Sequence, residues 1–188
     1  MAMNETLNVI KRRRSIRQFD ARPISDDALH AILEAALFAP NAMNQQKWHF
    51  SVVQNKRMLR KMVQITKANK LDSNIAFLIE KARGDDYHTY YHAPAVVLVS
   101  GDQQAKFIMF DCAAAAQTIA LAAASLGIGS CIMTSAGFLF ASEQGRDMKK
   151  DLGIPEGYEH VCSIALGYNR GDWPVAPPRK KDVFSFIK

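Results

Sequence analysis

The sequence predicts one α+β domain over residues 1–188, and three observations carry that prediction. The chain is 188 residues long, enough to bury one substantial core. Helical and strand-like segments are interspersed along it with no repeat, linker or break in composition. Its middle holds 107–126, a segment apolar on nearly every face. As a helix it has no wet side, so it must be covered all round.

The elements follow in order. Met3, Leu7 and Ile10 recur at helical spacing, and the next position on that face is Arg14; Val9 leads likewise to Arg13 and Arg17. Two outcomes are open. Either the helix runs on so that its inward stripe ends in guanidinium groups, which calls for an anion there, or it stops near Lys11 and leaves the arginines in a solvated loop. After Pro23, Ser25 caps a helix with Asp26 and Asp27 in its first turn and Leu29, Ile32, Leu33, Ala36 and Leu37 on its apolar face. Pro40-Asn41 ends it. Residues 48–53 read as a strand, about 56–70 as a helix and 72 to about 83 as a second helix. Gly84-Asp85-Asp86 breaks the pattern, and 87–92 reads as a loop.

Residues 95–99, after Pro94, form a fully apolar strand. The 107–126 helix is rich in alanine and closes at Gly127-Ile128-Gly129; a central position, packed against a twin in a dimer, is expected of it. A short strand over 130–133, a helix over 142–152 and a strand of period-two alternation over 158–168 follow, then an extended, proline-rich 173–178. Val183, Phe184, Phe186 and Ile187 make a last apolar patch too short to fold alone. It is expected on a sheet edge, its own or a partner's.

Charge narrows the function. The chain carries a net +6; residues 11–22 hold six basic side chains and one acid, and 179–188 hold four basic and one acid, so the remainder is slightly acidic at −2. A nucleic-acid-coating protein spreads its cations over a face, whereas these sit at the two ends, so a discrete anion is expected and nucleic acid is not. No apolar run looks long enough to span a bilayer and the first twenty residues are too charged for a secretory signal, so no membrane partner and a cytoplasmic location are expected. Cys112, Cys131 and Cys162 are far apart in apolar segments and lack zinc-ligand spacing, which fits buried free thiols. His88 and His92 are four apart with no third ligand beside them, and no metal site is expected. No Ser-His-Asp or Cys-His arrangement stands out, and no G-x-G-x-x-G follows a strand.

At this point the chain resembles the nitroreductase family along almost all its length. Arg13-Arg14-Ser15-Ile16-Arg17-Gln18-Phe19 resembles the amino-terminal R-R-S-x-R-x-F phosphate motif. The run Ala39-Pro40-Asn41-Ala42-Met43-Asn44-Gln45-Gln46-Lys47-Trp48 is similar to A-P-S-x-x-N-x-Q-P-W. Tyr91-His92-Ala93-Pro94, Leu126-Gly127-Ile128-Gly129-Ser130-Cys131 and Ala165-Leu166-Gly167-Tyr168 followed by prolines and Pro178-Arg179-Lys180 complete the series in family order. Each match is weak alone; five in order carry the resemblance.

The resemblance implies a nitroreductase-like fold: a central, mostly antiparallel sheet flanked by helices, in an intertwined homodimer with active sites at the subunit interface. It implies FMN as cofactor, NADH or NADPH as donor, and a ping-pong cycle ending on a nitroaromatic, quinone or related small acceptor. The flavin carries the chemistry, so no catalytic side chain is assigned. Arg13, Arg14, Ser15 and Arg17 would hold the FMN phosphate with Arg179 and Lys180 from the tail, so that both chain ends close the seat, while Lys11 and Arg12 stay surface charges. Pro40, Asn41, Ala42, Asn44 and Gln46 would meet the flavin from the other subunit, and Thr134 and Ser135 would lie over the ring. Asn41 and Lys47 depart from the family's serine and proline, and Lys47 is expected to be solvated. Lys67, Asn69 and Lys70 are ring-edge candidates by position, with a solvated helix end the simpler expectation; Tyr87, Tyr90 and Tyr91 are candidate roof residues. Other readings are a flavin-binding sensor or carrier, a divergent flavin-destructase-like or dehalogenase-like enzyme of the same fold, and an RNA-binding basic arm on a shared scaffold.

Overall fold

A computed structural model describes residues 4–188. Asn4 caps helix α1 (Glu5–Arg12) by accepting from the Leu7 amide at 3.0 Å, and Ser25 caps α2 (Asp26–Leu37). Strand β1 (Trp48–Val53) leads to α3 (Lys56–Leu71), capped by Asn55, and then to α4 (Ala76–Arg83). Next come β2 (Ala95–Asp102), the long helix α5 (Ile108–Ser125) and β3 (Gly129–Met133). A 3-10 helix (Ser135–Ala141), α6 (Glu143–Asp151) and β4 (Tyr158–Gly167) complete the elements.

The strands form one sheet in the order β1-β2-β4-β3, every pairing antiparallel. Both faces are dry over residues 95–101 of β2 and 162–167 of β4. Val97 and Val99 of β2 with Ile164 and Leu166 of β4 pack against α2 and α5, while Val96, Leu98 and Ala165 pack against α3, the 3-10 helix and α6. The alternation in β4 therefore separates two cores. It does not separate core from water over the buried residues 162–167.

Other expectations shift. The helix expected from residue 72 starts at Ala76, because 72–75 turn away after α3. Met3 lies outside the described residues, and Leu7 and Ile10 of its stripe are exposed in the single chain. Helix α5 has the length and apolarity to cross a membrane, contrary to the expectation that no run does. Cys112, Ala115, Ile119 and Ala123 of α5 are nevertheless buried within the fold, so in this chain it is a core helix. Its covering is one-sided: Met109 and Phe110 are exposed, Phe110 to 76 %. The three cysteines are free and buried. The tail after Trp173 forms no strand, and its apolar side chains reach 98 % exposure at Ile187. It uses no sheet edge of its own chain.

Candidate functional site

The basic arm is not helical past Arg12. Arg13 leaves the helix with φ −50° and ψ 131°, and 13–17 run extended beside β3. Ser15 bridges Ser130 in parallel, and the Ile16 amide donates to Ser130 O at 2.9 Å. Farther on, Phe19 bridges Asn169, and the Arg170 amide donates to Gln18 O at 3.0 Å. Ile16 and Phe19 pin the arm to the core. They fit because Gly129 and Gly167 lack side chains: a Cβ on Gly129 would lie 2.7 Å from Ile16 Cγ1, and one on Gly167 would lie 2.9 Å from Phe19 Cδ1.

Extended backbone changes which residues act together. Side chains alternate along it, so Arg13, Ser15 and Arg17 share the face opposite Ile16, and Arg14 falls with Ile16. The second outcome is half met: the helix stops beside Lys11, at Arg12, but the arm that follows is bridged to Ser130 and is not a free loop. Arg14 donates from Nη1 to Arg13 O, and its Nε is buried without a partner, which leaves a guanidinium donor unsatisfied. Burial raises the pKa of the Cys131 thiol, while Arg17, Arg13 and Lys81 pull it down. Arg12 is more than a surface charge, since its Nη2 donates to Ala124 O at 2.7 Å, at the negative end of α5.

Two adjoining cavities open along this arm. The first, of about 460 Å³, is walled by Lys70, Lys81, Tyr87, Tyr91 and Ser135. The second, of about 400 Å³, holds Arg17 and Arg170, and the two share Asp86, His88 and Tyr91. Lys70 does not sit at a solvated helix end. It is 3 % exposed, with its ammonium 5.4 Å from the Tyr87 ring and 5.8 Å from the Phe138 ring. Asn69 turns the other way and donates to Phe138 O (2.8 Å) and Leu139 O (3.2 Å), tying α3 to the 3-10 helix that begins at Ser135. Of the tyrosines, Tyr87 and Tyr91 wall the cleft, whereas Tyr90 is wholly buried in the core. Thr134 and Ser135 are exposed, and Ser135 faces the first cavity.

The loop after α2 is one of two described stretches where non-glycine backbone turns left-handed, the other being Tyr91 (φ 55°) and His92 (φ 58°) of the cleft wall. Met43 (φ 54°), Asn44 (φ 50°) and Gln46 (φ 50°) all occupy the left-handed region, which costs about 1 kcal/mol or more apiece for such residues and collects at functional sites. The Asn41 carboxamide braces it by accepting the Gln46 amide at 2.9 Å, which gives the departure from serine a structural role. Asp111 of α5 accepts the Ala42 amide at 3.0 Å. Lys47 is not merely solvated, because it pairs with Asp102 at 2.9 Å. Pro40, Asn44 and Gln46 are exposed.

This loop and the arm sit at opposite ends of α5, one bonded to Asp111 and the other to Ala124. Thirteen residues of helix separate those anchors by about 20 Å along the axis. The tail leaves from the arm's end, where Trp173 Nε1 donates to Arg12 O at 2.8 Å. Arg179 and Lys180 are exposed beyond it, Arg179 donating to Pro177 O. Asp111, Lys81 and His88 were missed as site residues. A lone carboxylate in an apolar helix was the available signal for Asp111; Lys81 offered none. Among the described residues no three His, Cys, Asp or Glu side chains gather closely enough for a metal.

His88 sets an acid limit on the cleft wall. Its Nδ1 accepts from the amides of Tyr90 (3.2 Å) and His92 (3.0 Å), and burial, then repulsion by His92, lowers its pKa from 6.5 to about 4. Burial likewise lowers His160 to about 4, against an opposing pull from Glu159. The fold holds both rings neutral where the unfolded chain would protonate them. Their stabilisation is complete above pH 6.5 and is lost as the pH falls from 6.5 towards 4. Thermal midpoints measured from pH 7.5 to 5 should drop across that window, and the drop should shrink in His88→Gln and His160→Gln; identical profiles for all three proteins would refute it.

The fold is that of the nitroreductase-type oxidoreductases. The chain belongs to the nitroreductase family, whose model matches residues 10–168. A nitroreductase of Bacteroides fragilis, solved with bound FMN, superposes with a TM-score of 0.93 at 35% identity, covering 99% of this chain and 100% of that one. One from Desulfitobacterium hafniense, also with bound FMN, gives 0.90 at 37% identity and covers all of both chains. A protein of Archaeoglobus fulgidus named for NADH dehydrogenase/NAD(P)H nitroreductase activity is 34% identical over 175 residues, 90% of this chain and 88% of its own length.

Proposed function

We propose that the protein is a homodimeric FMN-dependent oxidoreductase, formed as one domain over 1–188, that transfers reducing equivalents from NADH or NADPH to small nitroaromatic or quinone acceptors. The observation that carries the reading is the Ser15–Ser130 bridge, which holds the arm extended and so puts Arg13, Ser15 and Arg17 on one face. Guanidinium groups and a hydroxyl are the donors that a phosphate dianion calls for, so these residues fit the FMN phosphate. Arg179 and Lys180 would add to the seat from the tail.

When bound, FMN supplies the redox chemistry in two alternating half-reactions, one with the nicotinamide and one with the acceptor. The protein's part is placement. Lys70, a buried ammonium turned towards the cavity, would hold the polar edge of the ring, and the chain at Thr134 and Ser135 would lie over it. Tyr91 and Tyr87 would limit what reaches it. Pro40, Asn41, Ala42, Asn44 and Gln46 would arrive from the second subunit, which the separation of loop and arm along α5 supports. Surface area supports the same dimer: the chain exposes 11896 Å², against about 9,000 Å² for a compact monomer of this mass. Large apolar side chains are exposed on α1 (Leu7, Ile10), α5 (Met109, Phe110) and the tail (Phe184, Ile187).

The purified protein should be yellow and elute at twice its 20.9 kDa. It should bleach anaerobically with NADH or NADPH and regain colour with a quinone. A colourless protein that takes up no FMN would sink the flavin reading; a yellow one that no nicotinamide reduces would make it a flavin carrier.

A further inference from the structure

The strained loop 40–46 has little packing to hold it. Pro40, Met43, Asn44, Gln45 and Gln46 are all exposed, and Ala42 is only partly covered. Inside the loop the Asn44 and Gln45 amides donate to Asn41 O and Ala42 O at 3.2 Å, and one side chain braces it, Asn41 accepting the Gln46 amide. The other comes from 69 residues away, where Asp111 Oδ1 accepts the Ala42 amide at 3.0 Å. Asp111 is the one charged side chain in Ile108–Ser125, and it is 7 % exposed in a helix otherwise made of apolar and small polar residues. Burying a carboxylate is costly, and core packing alone would be served by another alanine. Its place in the first turn of α5 offsets part of that cost, because the positive end of the helix lies there. The amide it accepts is the last one before the left-handed pair Met43–Asn44.

We infer that Asp111 is a positioning residue of the flavin site: its carboxylate fixes the Ala42 amide and so holds loop 40–46 in the geometry that meets the flavin. This rests on the FMN reading above. The inference has a sign that simple electrostatics does not share. FMN is anionic, so removing a nearby carboxylate would tighten binding if charge were all that mattered. A positioning role predicts the reverse.

The test uses the full-length protein with FMN titration, and amide hydrogen exchange at 42–46 in the FMN-free form. Asp111→Ala should raise the FMN Kd by about tenfold or more and speed exchange at Ala42 by a similar factor, since it removes a charge-assisted hydrogen bond. Asp111→Asn, whose carboxamide oxygen can accept from the same place, should stay within about threefold of wild type in both measurements. Asn41→Ala, which removes the other brace, should combine with Asp111→Ala less than additively. Asp111→Ser, too short to reach the Ala42 amide, replaces the alanine variant if that one does not fold. Unchanged exchange at Ala42, FMN binding as tight as or tighter than wild type, or equal losses in the alanine and asparagine variants would each overturn the inference. Failure of the wild type to bind FMN would overturn the flavin reading instead, and exchange at Ala42 would still decide whether the clamp exists.

Discussion

Replacing Arg13 and Arg17 together by alanine should weaken FMN binding by about two to four orders of magnitude while leaving the protein folded. Each guanidinium would give the phosphate at least one charge-assisted hydrogen bond, worth about 1.5–3 kcal/mol, so two losses come to about 3–6 kcal/mol. The fold should survive because neither side chain anchors the arm. That task falls to the Ile16 amide on Ser130 O and to buried Ile16 and Phe19. Fluorescence titration with FMN and with riboflavin gives the answer. Riboflavin lacks the phosphate, so its affinity should be the same in variant and wild type. If FMN affinity is unchanged, or both ligands weaken equally, the arm is not the phosphate seat.

Gly145→Ala should be among the most damaging single substitutions for stability, at about 3 kcal/mol, the upper end of the usual overpacking range. A Cβ there would lie 1.7 Å from Leu139 O and 2.8 Å from Leu139 C, both backbone atoms of the 3-10 helix. Neither side can give way easily. The Leu139 carbonyl is held by Asn69, and the Gly145 amide is held by Ser142 Oγ at 3.3 Å. Relief would have to shift the 3-10 helix, which carries Ser135 and Phe138, so flavin affinity should fall as well. Gly153→Ala is the control: its φ is +66° and nothing lies within 4 Å of the added carbon, so only the left-handed penalty of about 1–2 kcal/mol applies. Chemical denaturation of the two variants compares them directly. Equal losses would mean that α6 does not pack on the 3-10 helix as described.

Much of this protein was legible in its residues. The cap at Ser25, the apolar strand after Pro94 and the long alanine-rich helix all lie where local chemistry put them. The localisation of charge at the arm and tail needed no structure, and neither did the order of the family's motifs. These are short-range signals, set by side-chain periodicity, capping and composition.

What tertiary structure alone decided involves partners far apart in sequence. Arginine favours helix locally, so nothing local stops α1 at Arg12. It stops because Ile16 and Phe19 find slots beside Gly129 and Gly167, and because Ser130 offers its carbonyl to the extended chain. That pairing selects Arg13, Ser15 and Arg17 as one face and turns Arg14 away. Lys70 looks like an ordinary helix-end cation until Tyr87 and Phe138 close over it, and Lys47 looks solvated until Asp102 reaches it. The Ala42–Asp111 bond spans 69 residues and holds a turn no propensity predicts. The sequence by itself determined which groups the site can draw on. The packing of the sheet, α3 and α5 decided which of them face one another, because burial and hydrogen-bond satisfaction are properties of the assembled fold.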